Sequence, residues 1–344
     1  MLPVSLEDVQ QASERIRCSR ALYESPLVEA PYLAGILGFS RLFIKNETVH
    51  PIGAFKERGV VNHFLQLTDK QKRRGVFAIS SGNHAQAVAR QARKFGIAAT
   101  ILMPTDAPRL KLKNTRAYGA KIITYDRQNQ NGEALALKIA EERGLYLIHP
   151  YNGLRTIAGQ GTIGLEIHQQ MQEQGVTPDA LIVPCSGGGL AAGIALSRGL
   201  YADPPALYTA EPENFDDMRR SLEAGYAIAN KAGAKSACDA LMAPCPGENA
   251  LPILSHHKAQ GLTAKEELIF AAMYIASRHI DHLGIKLEPS GATALACALN
   301  HTQKLQGQKV VIIASGSNAD SDRYIAMLEK GYDVTRTLYP CLAP

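Results

Sequence analysis

Short uninterrupted apolar runs alternate along this chain with longer stretches whose apolar positions recur every three or four residues. The alternation is clearest between residues 75 and 148. Runs at 75–79, 99–103, 121–125 and 145–148 are bounded by turn residues, as expected of strands buried on both faces of a parallel sheet. Stretches at 85–95, 110–118 and 133–143 carry the helical period and separate them. Strand–helix units in this order describe a compact parallel α/β subdomain. Right-handed crossovers put the loop after its first strand at the carboxyl end of the sheet.

A second subdomain is split around the first. Ser5, with Glu7 and Asp8 in the first turn, caps a helix predicted to run to about Arg17. A connector carrying Ser25-Pro26-Leu27 leads to a strand at 42–45, and a helix continues past Lys56 to Leu67. Further on, the pattern predicts helices at 159–174, 190–198, 264–277, 290–305 and 322–329 and strands at 180–183, 206–210 and 310–314. Residues 227–252 read as loop, and His279 and His282, three apart, as a solvated helix face.

Three of the turns after apolar runs are rich in glycine, hydroxyl or amide groups: Ser80-Ser81-Gly82-Asn83-His84, Ser186-Gly187-Gly188-Gly189-Leu190 and Ser315-Gly316-Ser317-Asn318. Open α/β sheets gather their ligands at such places. Successive glycine N–H groups opening a helix form an anion nest suited to a phosphate. Neither GxGxxG nor a Walker lysine is present, which speaks against a dinucleotide or a nucleoside triphosphate. Lys56 lies behind Phe55 in a turn-rich segment between strand and helix, where partial desolvation would free its amine for Schiff-base chemistry. A lysine nucleophile together with a phosphate nest suggests pyridoxal 5′-phosphate.

Composition narrows the partners. The 344 residues are 46% hydrophobic and 20% charged, with a mean hydropathy of −0.11, as in an ordinary globular protein. The net charge of +5 is scattered, which suits small anionic metabolites and excludes a nucleic-acid stripe. Without an apolar leader or a run of about 18 apolar residues, the chain reads as cytoplasmic and free of the membrane. The six cysteines form no CxxC pair, which argues against structural zinc or a disulfide framework.

Taken together and in order, Phe55-Lys56-x-Arg58-Gly59, Ser80 to His84, Ala158-Gly159-Gln160-Gly161-Thr162, Gly187-Gly188-Gly189 and Ser315-Gly316-x-Asn318 resemble the fold type II pyridoxal-phosphate enzymes. The serine/threonine dehydratase and serine racemase branch is the nearest, and the match runs from about residue 20 to about residue 330. The resemblance implies a tryptophan synthase β-like fold of two open parallel-sheet α/β domains with the cofactor in the cleft between them. Residues 1–68 and 151–344 would form the large domain, and 69–150 a small mobile one. A homodimer is expected.

The resemblance also implies roles. Lys56 would hold the cofactor and then remove the substrate α-proton, with Phe55 packed beside the ring and Asn83 bonded to its phenolic oxygen. The backbone from Ser81 through Gly82 and Asn83 to His84 would grip the substrate carboxylate. Ser186, Gly187, Gly188, Gly189 and Leu190 would hold the phosphate, Ser315 would face the pyridine nitrogen, and Glu288 would sit near the cofactor edge. A Ser290 N-cap explains the Glu288 stretch equally well. Ser81 stands where racemases place a second proton-transfer group. Glu211, Phe215 through its carbonyl and Asp217 would hold Mg²⁺ or Ca²⁺, as oxygen donors do.

This sequence departs from the family pattern at several positions. Ser186 replaces the first glycine of a four-glycine loop, and Ser317 replaces a glycine. After Pro150 a commonly acidic stretch reads Tyr151-Asn152-Gly153-Leu154-Arg155, so Arg155 becomes a candidate for a second substrate carboxylate. Ser236, in Ala232-Gly233-Ala234-Lys235-Ser236, is a candidate substrate contact. A neutral Ser315 makes the cofactor a weak electron sink, which favours expulsion of a β-hydroxyl. The expected activity is β-elimination from serine, threonine or 3-hydroxyaspartate to a 2-oxo acid and ammonia. The alternatives are a racemase or a β-replacement enzyme on the same scaffold, or a non-catalytic relative that binds the cofactor. Because the chain stops soon after its last predicted helix, isoleucine feedback through a C-terminal regulatory domain is not expected.

Overall fold

The computed structural model describes residues 2–280 and 285–343. Among the described residues ten strands form two sheets. The larger takes β1 (Leu27–Glu29), β2 (Arg41–Asn46), β7 (Ala180–Pro184), β8 (Ala206–Pro212), β9 (Gln260–Ala264) and β10 (Lys309–Ala314) in the order β1-β2-β10-β7-β8-β9. All its neighbours are parallel except β1 with β2. The smaller takes β3 (Val76–Ile79), β4 (Ala99–Pro104), β5 (Lys121–Tyr125) and β6 (Tyr146–Leu147) in the parallel order β5-β4-β3-β6.

Continuous apolar strands serve two cores at once. Leu42, Ile44, Ile182 and Ile312 enter the core on one face of the large sheet, while Phe43, Leu181, Val183, Val311 and Ile313 enter the other. The period of two along each strand makes that division.

Strand order fixes where ligands can sit. In the large sheet the chain passes from β7 out to β8 and β9, then returns to insert β10 on the other side of β7. In the small sheet it runs β3, β4, β5 and then adds β6 beyond β3. Each reversal leaves a crevice at the carboxyl ends of two adjacent strands. The loops after β7, β10 and β3 border those crevices, and the Lys56 turn follows β2, the neighbour of β10.

The capping box of the first helix (Leu6–Ser19) forms as expected, with the Ser5 side chain accepting from Asp8 N and Asp8 from Ser5 N. Other expectations shift. The 159–174 helix begins earlier and spans Leu154–Glu173, and its Gly159 is a close-packing point: a Cβ there would lie 2.6 Å from Gly59 Cα. The 290–305 helix is Pro289–Asn300, stopping before His301, and the last one extends over Ser321–Leu338. Helices Pro31–Leu37, Asp217–Ala224 and Ala250–His256 carried too short a periodic signal to be read, and β9 is a polar, glycine-containing edge strand. His279 is half-buried, with Nε2 2.9 Å from the Leu342 carbonyl; His282 lies outside the described residues. Among the described residues no helix is long and apolar enough to cross a membrane.

Candidate active site

Between the two sheets lies a cavity of about 760 Å³, bordered by the loops after β2, β3, β7 and β10. Lys56 ends the turn before helix Glu57–Phe64 and lines it. Its Nζ donates to the Pro150 carbonyl at 2.8 Å and stands 5.0 Å from the centre of the Phe55 ring. No carboxylate offsets this burial, which lowers the amine from 10.5 to about 8. At pH 7 about one such amine in ten is neutral, far more than for a solvated lysine. Covalent capture of an added aldehyde cofactor by cofactor-free protein should therefore speed up about tenfold per pH unit until about pH 8 and then level off. The rise of visible absorbance after mixing measures it; a rate still climbing through pH 10 would place the amine in solvent.

Two of the helices that start at the cavity without side-chain caps open at glycines. Helix Asn83–Phe95 begins at Gly82, and helix Gly189–Ser197 at Gly188. Their first N–H groups are thus left for anions, reinforced by each helix dipole. Gly188 has φ +90, and a Cβ there would lie 2.5 Å from Met218 Cε. Tyr151 presses on the same loop, since a Cβ at Gly187 would sit 2.2 Å from its ring. Ser186 Oγ accepts from Ala243 N at 2.9 Å, so its own proton is free to donate. Leu190 follows in the first helical turn and lines the cavity. Ser81 and Ser315 also line it, and among the described residues no group hydrogen-bonds either hydroxyl.

Asn83 is held from two sides. Its Nδ2 donates to Glu288 Oε1 at 2.5 Å and its Oδ1 accepts from Asn318 Nδ2 at 2.9 Å, which leaves one Nδ2–H for a ligand. Lys111, fully buried, places Nζ 2.8 Å from Glu288 Oε2 and 2.7 Å from Asp239 Oδ2. Burial raises the Glu288 carboxyl, and Lys111 opposes the rise. Because Lys111 comes from a helix of the smaller sheet, this ion cluster ties the two walls of the cavity together. His84 is kept neutral by burial and by the nearby Lys56 charge. Its Nε2 lies 2.9 Å from the Ile148 carbonyl and its Nδ1 has no partner among the described residues.

Comparison with known proteins explains the arrangement. The pyridoxal-phosphate dependent enzyme family model matches residues 18–316. The chain belongs to that family. It is 34% identical over 328 residues to the L-threo-3-hydroxyaspartate ammonia-lyase of Saccharomyces cerevisiae, covering 95% of this chain and 97% of the relative. It is 35% identical over 328 residues to the serine racemase of Schizosaccharomyces pombe, covering 94% and 97%. Among solved structures, the T.th. threonine deaminase aligns with a TM-score of 0.84 at 36% identity, covering 92% of this chain and 99% of that one. The fold is therefore the fold type II architecture of pyridoxal-phosphate enzymes, as the motifs implied.

The residues present fit the cofactor of this family. They offer a desolvated amine, an uncapped helix start behind a glycine row, and an unpartnered hydroxyl on the loop after β10. Other expectations need correction. Arg155 does not line the cavity: it falls in the first turn of the early-starting helix, and its Nη1 turns to the Gln66 carbonyl and Tyr146 Oη at 3.3 Å. Ser236 also stays outside the lining, because its Oγ accepts from Cys238 N at 3.1 Å in a local turn. Ser290 is not an N-cap; Glu288 occupies that position, and Ser290 Oγ accepts from Ala240 N.

Glu211 and Asp217 are both buried, and Phe215 borders the cavity. Glu211 accepts from Met218 N and Arg219 N at 2.9 and 2.8 Å, and Asp217 Oδ1 from Asn230 Nδ2 at 2.7 Å, leaving Asp217 Oδ2 without a partner among the described residues. Burial and the neighbouring Asp217 charge push Glu211 well up, and burial pushes Asp217 to about 7. Among the described residues no three acidic, histidine or cysteine side chains gather as a metal cluster. Lys111, Asp239, Tyr151 and Arg127 had no sequence signal beyond their type. Only Arg127 stood where one could have been looked for, in the loop directly after a parallel strand.

Proposed function

We propose that this protein is a pyridoxal-phosphate-dependent ammonia-lyase that removes water and then ammonia from a small β-hydroxy amino acid. A lysine amine of lowered basicity that shares one cavity with two uncapped helix starts carries this reading. Relatives named for hydroxyaspartate, threonine and serine chemistry support it.

Lys56 would hold the cofactor covalently, Ser186 to Leu190 would bind its phosphate, Phe55 would pack beside its ring, and Ser315, Asn83 and Glu288 would contact its edge. When bound, pyridoxal phosphate supplies an electron-withdrawing ring conjugated to the substrate α-carbon. The open N–H groups from Ser81 to His84 bind the substrate carboxylate, and Lys56, released, takes the α-proton at Nζ. Ser315 offers a neutral hydroxyl where a carboxylate would keep a ring nitrogen protonated, so the path that expels a β-hydroxyl is favoured. The hydroxyl leaves as water with the α-proton, and hydrolysis of the freed enamine gives the 2-oxo acid and ammonia. Residues 69–150 form the small unit that closes over the substrate, with the Lys111 ion cluster as its contact. Family likeness extends the reading to a cytoplasmic homodimer.

Ammonia and 2-oxo acid release across the stereoisomers of serine, threonine and 3-hydroxyaspartate tests the proposal. Release from none of them would overturn it. D-serine formed from L-serine without ammonia would instead favour the racemase reading, for which the unpartnered Ser81 hydroxyl is the specific observation. Ser81→Ala should depress racemisation at least about tenfold more than elimination, the range for loss of one proton-transfer group. Equal losses would leave Ser81 only a part of the carboxylate loop.

Two buried carboxylates, Glu211 raised in part by the Asp217 charge and Asp217 with an orphaned oxygen, also suit a hard cation. Mg²⁺ or Ca²⁺ held by Glu211, Asp217 and the Phe215 carbonyl would relieve that repulsion. Added cation should raise the thermal midpoint of chelator-treated protein by several degrees, and Asp217→Asn should abolish the rise. A midpoint indifferent to both cations would remove the site.

A further inference from the structure

Arg127 lines the cavity from the small-sheet wall, on the turn that leaves the carboxyl end of edge strand β5. That turn has little freedom. Asp126 N donates to Gln130 Oε1 at 2.8 Å, Asp126 Oδ1 accepts from Gln128 N at 2.9 Å, and Asp126 Oδ2 from Asn129 Nδ2 at 2.6 Å. Its return passes close over the strand end, since a Cβ at Gly132 would lie 2.6 Å from Tyr125 Oη.

The Arg127 guanidinium is only partly paired. Asp106 Oδ1 stands 2.8 Å from Nε, but off the N–H axis, so the buried Nε–H has no aligned acceptor. The terminal nitrogens have no acceptor among the described residues. Asp106 is 62% exposed and Arg127 29%, so their ion pair is largely screened. The other acids of the cavity are committed elsewhere: Glu133 is engaged by His149 and Tyr151, and Asp239 and Glu288 by Lys111. A planar, permanently charged fork left open at a ligand cavity matches a carboxylate in the two-point manner that a lysine cannot.

We propose that Arg127 binds the distal carboxylate of a dicarboxylic substrate, which makes a 3-hydroxyaspartate the preferred hydroxy amino acid of this site. The inference rests on the lyase reading. The start of helix Asn83–Phe95, after β3, takes the α-carboxylate, so a second carboxylate on the β-carbon side needs a cation elsewhere along the cavity, and Arg127 stands two strands away after β5. Lys56 is committed to the cofactor, Lys231 is exposed on the opposite loop, and Arg155 lies outside the cavity. A substrate without the second carboxylate leaves Arg127 facing water.

The test uses cofactor-loaded protein and two readouts. In turnover, the ratio of kcat/KM for threo-3-hydroxyaspartate to that for serine should fall about 30-fold in Arg127→Gln, as for loss of one charge-assisted pair, and less in Arg127→Lys. In calorimetric binding, 2-methylaspartate and 2-methylserine, which lack an α-proton, should show the same loss in the ratio of their dissociation constants. Unchanged ratios, or a wild type that prefers the mono-carboxylic compound in both readouts, would overturn the proposal. Selective binding of 2-methylaspartate that Arg127→Gln abolishes, with no ammonia released from any substrate, would uphold Arg127 while the lyase reading fails.

Discussion

Replacing Lys56 by Ala should reduce ammonia release by at least about 10⁴-fold and leave a protein that loses its colour on dialysis. One nitrogen is assigned both the covalent attachment and the removal of the α-proton, so no other group of the cavity can compensate. His84 is held neutral by burial with Nε2 at a backbone carbonyl, and Ser81 is a far weaker base. Stability should not follow activity. A lysine whose folded value is below its unfolded one disfavours folding wherever the free amine would be charged, so at pH 7 removing Lys56 should not lower the unfolding midpoint. Residual turnover above about one per cent, or a large drop in midpoint, would contradict the role assigned to this amine.

Arg58→Met should cost stability on the order of 3–5 kcal/mol without touching the cavity directly, read as a shift in the urea midpoint. Arg58 is fully buried and pairs with two carboxylates: Nε to Glu47 Oε2 at 2.7 Å, and Nη1 and Nη2 to Glu166 at 2.5 and 2.7 Å. Lys45 adds a contact to Glu166 at 2.7 Å, which is too little to neutralise both acids. Burial by itself would raise Glu47 and Glu166; Arg58, helped by His50 at Glu47 and by Lys45 at Glu166, more than offsets it and holds both below their usual range. Carboxyls held low stabilise the fold above the ordinary carboxylate value, and that stability is lost as pH falls through their folded values. In Arg58→Met both carboxyls should rise instead, so acidification should narrow the gap between variant and parent. A gap that widens on acidification, or a loss below about 1 kcal/mol, would show that the network is not held by this arginine. The network stands directly behind the Lys56 turn, so weakened cofactor retention is expected alongside the lost stability.

How much of this was legible in advance depended on whether the information was local. Buried parallel strands such as 310–314 and 180–183 announce themselves by uninterrupted apolar residues, and helix 85–95 by its period. Glycine at 188 is read from sequence because an anion nest needs bare, freely rotating backbone. Arg155 was misplaced because the helix begins at Leu154, five residues before the expected start, and its first turn carries the side chain toward Gln66 and Tyr146. Lys111, on a helix of otherwise solvated pattern, gave no sign of full burial, because its two acid partners, Asp239 and Glu288, are more than a hundred residues away.

By itself the sequence determined the alternating α/β organisation, the lysine, the glycine row and the family. These follow from period, residue type and short-range spacing, which the chain carries whatever its final packing. Only the tertiary structure decided which charges face the cavity. It turned Arg127 inward and Arg155 away, and it joined Lys111 to Glu288 and Asp239 across the cleft. The reason is physical: the energy of a charge depends on the partners and water around it, and folding brings those partners from distant parts of the chain.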